Sequence, residues 1–507
     1  MIRGGRSLAV AALLGTLLAS ACQGGDGRSG GGPGDPYGPE AIRHGLAPQP
    51  HPDVTYQPDV VLVGGGGAAV RSVTDDGLTW RIDPGAARAD QLAPGKVMFL
   101  TARAVGRVVD ARRDGDDLAV TIAPVELTEV VRDGTFSTAE PVPLERPIAY
   151  PAGDPPWAAG DLPEDGGGVG GGLPPVVPAR GGVVPARGGV VPAGVGAVPA
   201  NGVVARAPRP PQPDGKLAVP GETVTAGGFR LTPKCCSDGV GLDFRYDDAE
   251  IRMTGEVALV MRRPSASFHL AISGGTVTRA EFSVTGGAGL RVAVDAATRV
   301  GNTRNLAKSI SVPVQFSVPV GTILGIPFSA TVDQVFEVRT VFTAKDGYLK
   351  AGGEYAVTGQ LGYGYRRPFW GPVVPSGFTV RNSLTNSITG VSLGVSGLLV
   401  SYDVKFTVGI GALGFSAGVY AGLRSKVGAT LGSAAGAPLA VCRGAGINVT
   451  MRYGIGYSIP QVVADVVNFF LKVFNTRPIR RTGDLGDETT VVKRAETIPP
   501  DVPLCAT

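Results

Sequence analysis

Histidine, cysteine and helix-type periodicity are all scarce in this chain, and each scarcity removes a class of function. Only 3 His and 5 Cys occur in 507 residues. There is no CxxC or His spacing for zinc, no HExxH, no P-loop and no Gly-x-Ser-x-Gly elbow. His44 and His51 stand with Asp53 in a Pro-rich stretch and read as solvated side chains rather than ligands. His269 lies on the strand face opposite Phe268 and Leu270, where a structural histidine is expected rather than a base. The expectation is therefore a non-enzyme, with no cofactor and no metal. Charged residues are 18% and the net charge is +4, which fits neither a solvating chain nor a nucleic-acid binder. The Ala, Glu, Lys, Leu and Arg content of a coiled coil is missing too.

Glycine and proline take that place. Gly (77) and Pro (42) make up about 23% of the chain, against about 12% in an average protein. A length of 507 allows about three domains, but Gly and Pro can hide linkers, so the count has to be located before domains are assigned.

Residues 1–21 open with Arg3 and Arg6, continue as an apolar run from Leu8 to Leu18, and end Ala19-Ser20-Ala21 before Cys22. A basic start, a short apolar core and small residues before a cut are the features of a secretory signal. The run is too short for a stable transmembrane helix. Together with Cys22 it resembles the lipobox of bacterial lipoproteins, although Ala19 stands where that family usually has Leu. The resemblance implies acylation of Cys22 and a membrane partner through the lipid. Gln23 in place of Asp implies the outer membrane, on its periplasmic or its outer side. Ordinary secretion with a chance cysteine is the alternative.

The other cysteines are Cys235, Cys236, Cys442 and Cys505. In an exported chain they suggest two disulfides. Backbone geometry resists a bridge between neighbours, so Cys235 and Cys236 are each expected to pair with Cys442 or Cys505.

Residues 22–56, rich in Gly, Pro, Asp and Arg, read as a flexible tether. Residues 57–147 read as a small β module, with Asp114-Gly115 at a hairpin turn. The run Ala93-Pro94-Gly95-Lys96-Val97, then Arg107-Val108-Val109 and Leu127-Thr128-Glu129, is similar to a recurring module of uncharacterised bacterial exported proteins. That resemblance carries no activity. Residues 148–215 contain Val-Val-Pro-Ala-Arg-Gly-Gly twice, at 176–182 and 183–189. Units with so few apolar side chains and Gly-Gly steps read as a disordered linker.

Residues 216–507 read as one large antiparallel, sandwich-like β domain. Ile310, Val312, Val314, Phe316, Val318 and Val320 share one face, and Tyr402, Val404, Phe406, Val408 and Ile410 share another. One helix is expected at 460–475, packed on the sheet, with Asp465, Asn468 and Lys472 on its polar stripe. The fold class expected is thus all-β: two β units joined by disordered Gly/Pro-rich linkers.

Two surface segments hold candidate chemistry. Tyr363 to Trp370 combines rings with guanidinium groups, and Arg366, Arg367 and Trp370 are its best ligand-binding residues. The carboxylates of Asp247, Asp248 and Glu250 read as a hairpin tip. The function expected is a lipid-anchored surface protein with a non-catalytic binding, adhesion or structural role, its partner an envelope glycan, lipid or protein. The alternative is a lipid- or apolar-ligand-binding protein with a groove closed by the C-terminal helix. A membrane β-barrel, suggested by the small residues of 408–431, and a hydrolase are weaker alternatives.

Overall fold

In the computed structural model, residues 35–151 and 221–498 are described, apart from 75–76, 237, 300–305, 343–346, 358–360, 367–368, 373–379, 383–386, 392–394, 413–414, 435–436 and 459–481. The helix expected at 460–475 lies outside the described residues, as do Cys22 and Cys505.

The fold is all-β, with two short α-helices among the described residues. From the N-terminus come α1 (Pro39–His44), β1 (Thr55–Tyr56), β2 (Val60–Leu62), β3 (Val70–Val73), β4 (Thr79–Ile82) and β5 (Val97–Thr101). Then follow β6 (Ala104–Asp114), β7 (Asp117–Ala123), α2 (Leu127–Val130), β8 (Val131–Ser137), β9 (Val142–Pro143) and β10 (Ile148–Pro151). After residue 220 come β11 (Val224–Ala226), β12 (Phe229–Cys235), β13 (Gly239–Asp247), β14 (Ile251–Ser273), β15 (Thr276–Thr298), β16 (Ala307–Ser311) and β17 (Val314–Ile323). Next are β18 (Ile326–Phe342), β19 (Tyr348–Val357), β20 (Leu361–Arg366), β21 (Phe369–Pro372), β22 (Val380–Asn382) and β23 (Thr389–Val391). The chain closes with β24 (Val395–Ala412), β25 (Phe415–Ala434), β26 (Ala437–Ser458) and β27 (Thr482–Ile498).

These strands form three sheets. A six-stranded sheet runs β2-β5-β6-β7-β4-β3, a thirteen-stranded sheet is built on β11-β12-β13-β14-β15-β19-β22, and an eight-stranded sheet is built on β10-β17-β18-β24-β25-β26-β27 with β16 also on β18. Alternation decides what each face does. Ile310, Val312, Val314, Phe316 and Val318 are all buried, as are Tyr402 to Ile410 at every second position. The apolar faces of the two larger sheets meet in one core, where Phe336 of β18 lies 5.8 Å from Phe229 and 4.5 Å from Phe244 between ring centroids. Beneath Phe244 is Gly255, whose hydrogen in place of a side chain leaves room for the ring: a Cβ there would stand 2.5 Å from Phe244 Cζ and 2.4 Å from the Ala293 carbonyl oxygen.

The N-terminal module is not a separate unit. β8 pairs with the second half of β14 (Phe136 opposite Leu270), β1 pairs with β8, and β10 pairs with β17. Strand β5 is buried on both faces: Val97 and Phe99 enter the large core, Met98 and Leu100 the module's own core beside Trp80. The boundary expected at 147/148 therefore does not divide two sheets. Length explains this. β14 is 23 residues long but pairs with β13 only as far as Val260, and the remainder leaves an edge, which β8 and β9 fill.

The segment expected as a flexible tether has defined structure over its described part, residues 35–56. Six-residue α1 is too short to be stable alone and is held from outside. Tyr150 Oη donates to the Ile42 carbonyl at 2.6 Å, Thr101 Oγ1 donates to the His44 carbonyl, and Gln49 N–H donates to the Gly325 carbonyl at 2.7 Å. The Arg103 guanidinium lies 3.5 Å above the Tyr150 ring.

The cysteines also differ from expectation. Cys235 is bonded to Cys236 across a cis peptide, with Cα atoms 3.0 Å apart. The expected pairing assumed a trans peptide, which keeps neighbouring Cα atoms further apart. Cys442 sits in β26 opposite Gly432.

Candidate functional site

The second face of the eight-stranded sheet carries charge where a strand interior is normally neutral. In β24 the residues between the apolar ones are Ser401, Asp403, Lys405 and Thr407, all buried, and β25 contributes Arg424. Register assembles them into rows. Asp403 stands between Val335 of β18 and Arg424 of β25, and Arg424 is followed by Thr450 of β26. One row on, Asp333 faces Lys405, then come Gly422 and Arg452.

Within these rows the contacts are specific. Arg424 Nε donates to Asp403 Oδ2 at 2.7 Å, with side chains only 6% and 11% exposed. Lys405 Nζ lies 4.1 Å from the centroid of the Tyr420 ring. Gln315 Nε2 donates to Asp333 Oδ1 at 2.8 Å. At the margin, Arg339 Nε donates to Glu337 Oε1 at 2.6 Å. Two buried acceptors, Asp403 Oδ1 and Asn448 Oδ1, have no hydrogen-bond partner among the described residues.

Burial dominates the electrostatics. It raises the carboxyl of Asp403 above its ordinary value, against the pull of Arg424, Arg452 and Lys426. Burial also raises Asp333, which keeps some exposed surface, against the Gln315 hydrogen bond and the Lys405 charge. Three cations thus act on one buried carboxylate. The six strands β17, β18 and β24 to β27 contain no histidine, so the hydroxyls here have no imidazole base beside them.

The residues singled out in the sequence fall elsewhere. Arg366 ends β20, opposite Arg279 of β15 and Phe369 of β21, and Trp370 is opposite Tyr365. Arg366 and Trp370 thus take successive register positions in one hairpin of the thirteen-stranded sheet, and Arg367 lies outside the described residues. Arg279 makes a paired contact with Glu281, Nε to Oε1 at 2.7 Å and Nη2 to Oε2 at 2.8 Å, which raises the guanidinium further.

The acidic run 247–250 forms a hairpin tip. Asp248 Oδ1 accepts from the N–H groups of Glu250 and Ile251, and Oδ2 accepts from Tyr246 Oη at 2.6 Å. Arg299 Nη2 donates to Asp247 at 2.9 Å. Burial opposes ionisation of Asp248, but these bonds and the Arg299 charge outweigh it and hold the carboxyl low. The bond to Asp248 pushes Tyr246 up to about 12. Among the described residues no group of three or more His, Cys, Asp or Glu is arranged to hold a metal ion.

The charged face of β24 escaped attention in the sequence because the eye follows the apolar half of an alternation. Its signal was present: Asp403-x-Lys405 and Arg424-x-Lys426 place like-spaced charges at the polar positions of neighbouring strands.

Comparison with known proteins follows the division of the sheets. Residues 40–133 match the family described as Domain of unknown function (DUF8403), a span that covers the six-stranded sheet. No curated protein matches the chain, and no solved structure matches it. Residues 208–487, more than half of the chain and the source of nearly all strands in the two larger sheets, match the family described as Domain of unknown function (DUF8402), and the chain belongs to that family.

Proposed function

We propose that this chain is a lipid-anchored protein of the bacterial cell envelope whose β scaffold binds a surface partner and does no chemistry. One observation carries the non-catalytic part of the reading. The carboxylates best placed for acid–base work, Asp248 and Asp403, are committed to a turn and to a buried Arg424 pair. The packed rings of Phe229, Phe244, Phe268, Phe328 and Phe336 fill the space between the sheets, which favours a closed sandwich over an apolar groove.

The anchor rests on the signal-like segment before Cys22. The described residues begin at Asp35, 13 residues later, so an acylated Cys22 would hold Asp35 within about 45 Å of the bilayer. The β20–β21 hairpin with Arg366 and Trp370, and the half-buried Lys426 and Arg452 beside the buried Arg424 pair, are the two segments offered to a glycan, lipid or protein. Palmitate labelling tests the reading. The wild-type protein is expected to label and to sediment with membranes, and Cys22→Ser to abolish both. A wild-type protein that is unlabelled and soluble would overturn it.

A further inference from the structure

Strand β27 ends the eight-stranded sheet. It pairs with β26 from Thr482 opposite Ser458 to Ile498 opposite Arg443, and no other strand among the described residues pairs with it. Its 17 residues present a row of main-chain donors and acceptors about 55 Å long. Exposed edges of this length are usually blunted by charge. A charge of one sign would repel a second copy, but β27 is divided. Asp484, Asp487 and Glu488 lie in its first half, and Lys493 and Arg494, followed by Glu496, in its second.

The register makes this division self-complementary. Between Val449 and Thr450 of β26 the pairing slips, so that Val492 and Thr490 are their partners and Val491 is the extra residue of a bulge. The bulge reverses the alternation of faces. Asp487 (opposite Tyr453) and Arg494 (opposite Ile447) therefore share the core-side face, while Glu488 (opposite Arg452) and Lys493 (opposite Asn448) share the other. In a regular strand, separations of seven and five would place each pair on opposite faces. Turned end for end about Thr490–Val491, the strand meets itself with Arg494 against Asp487 on one face and Lys493 against Glu488 on the other.

We propose that β27 pairs antiparallel with β27 of a second copy, joining two eight-stranded sheets across a two-fold axis at Thr490–Val491. Such an interface is isologous, so each charge pair occurs twice. Two different opposite-charge pairs coincide at one axis, and the bulge that allows it lies at that axis.

Carbodiimide coupling of full-length protein in detergent tests this directly, with 14N- and 15N-labelled copies mixed. Glu488 and Lys493 of one strand are about 16 Å apart, too far for a zero-length link, and Lys493 is exposed. The expected product is a Glu488–Lys493 peptide pair with one light and one heavy half, together with sedimentation at twice 51.7 kDa for the unprocessed protein. Glu488→Lys is expected to weaken association at least tenfold, and E488K/K493E to restore it. The double variant carries the same change opposite Arg452 as the single one, so recovery isolates the contact between copies. A monomeric wild type, links only within one isotope, or a double variant no better than Glu488→Lys would overturn the proposal.

Discussion

At Asp333 two influences oppose each other. Surrounding protein disfavours its charge, while Gln315 and Lys405 favour it, and burial wins. A carboxyl raised in the folded state contributes stability below its unfolded value of 3.8 and loses it as pH rises through the folded value. Asp333→Asn keeps an oxygen for Gln315 and removes the charge. The variant is expected to melt higher than wild type at neutral pH, with the advantage vanishing below pH 3.8. Thermal unfolding across that range checks it, and an advantage that grew on acidification would contradict the assignment. None of this was legible in the sequence, because Asp333 looks like any polar residue of an alternating strand. Its surroundings come from Gln315 on one neighbouring strand and Lys405 on the other, which only the sheet brings together.

The strands themselves were far more legible than their partners. Alternation placed the buried face of β16, β17 and β24 correctly, since period two with one buried face has one solution. It also ran across Pro313, where the chain breaks into β16 and β17, two pieces lying in line along β18. Parity survives the break, so the pattern could not report it. What alternation conceals is close approach. Gly255 looks like a weak point in β14, yet it is the space that Phe244 occupies. Gly255→Ala is expected to cost about 1–3 kcal/mol through overpacking. Gly352→Ala, where the nearest atom to the new Cβ is 3.8 Å away, is expected to cost less than about 0.5 kcal/mol. Denaturant titration of the two variants compares them, and equal losses would show that the ring is not held there. The hairpin of Arg366 and Trp370 was visible as a segment but not as an edge pairing with β15, because its partner lies more than 80 residues earlier.

For the molecule as a whole, the sequence suggested two β units held apart, and the sheets instead interlock. Phe136 shows how. It sits on β8 with its ring 5.4 Å from Phe328 of β18, in the core that also takes Val97, Phe99 and Val105. Phe136→Ala is expected to cost about 3–5 kcal/mol. Because that core is shared, amide exchange should quicken in β5 and β6 as well as in β14 and β18. Acceleration confined to the larger sheets would mean that the module unfolds on its own. Local patterning gave no warning of this, since nothing within 57–147 distinguishes a strand that closes its own sheet from one that leaves it.

Interlocking also imposes a schedule. On a chain made from its N-terminus, Tyr150 of β10 precedes its partner Gln315 by 165 residues. At ordinary translation speeds that is on the order of 10–30 s, and β8 waits nearly as long for β14. During that interval Phe136 and the core-side residues of β5 are made but have nothing to pack against. The N-terminal third of the chain is thus a debtor to residues not yet synthesised, and its survival depends on whatever shields apolar strands until the rest arrives.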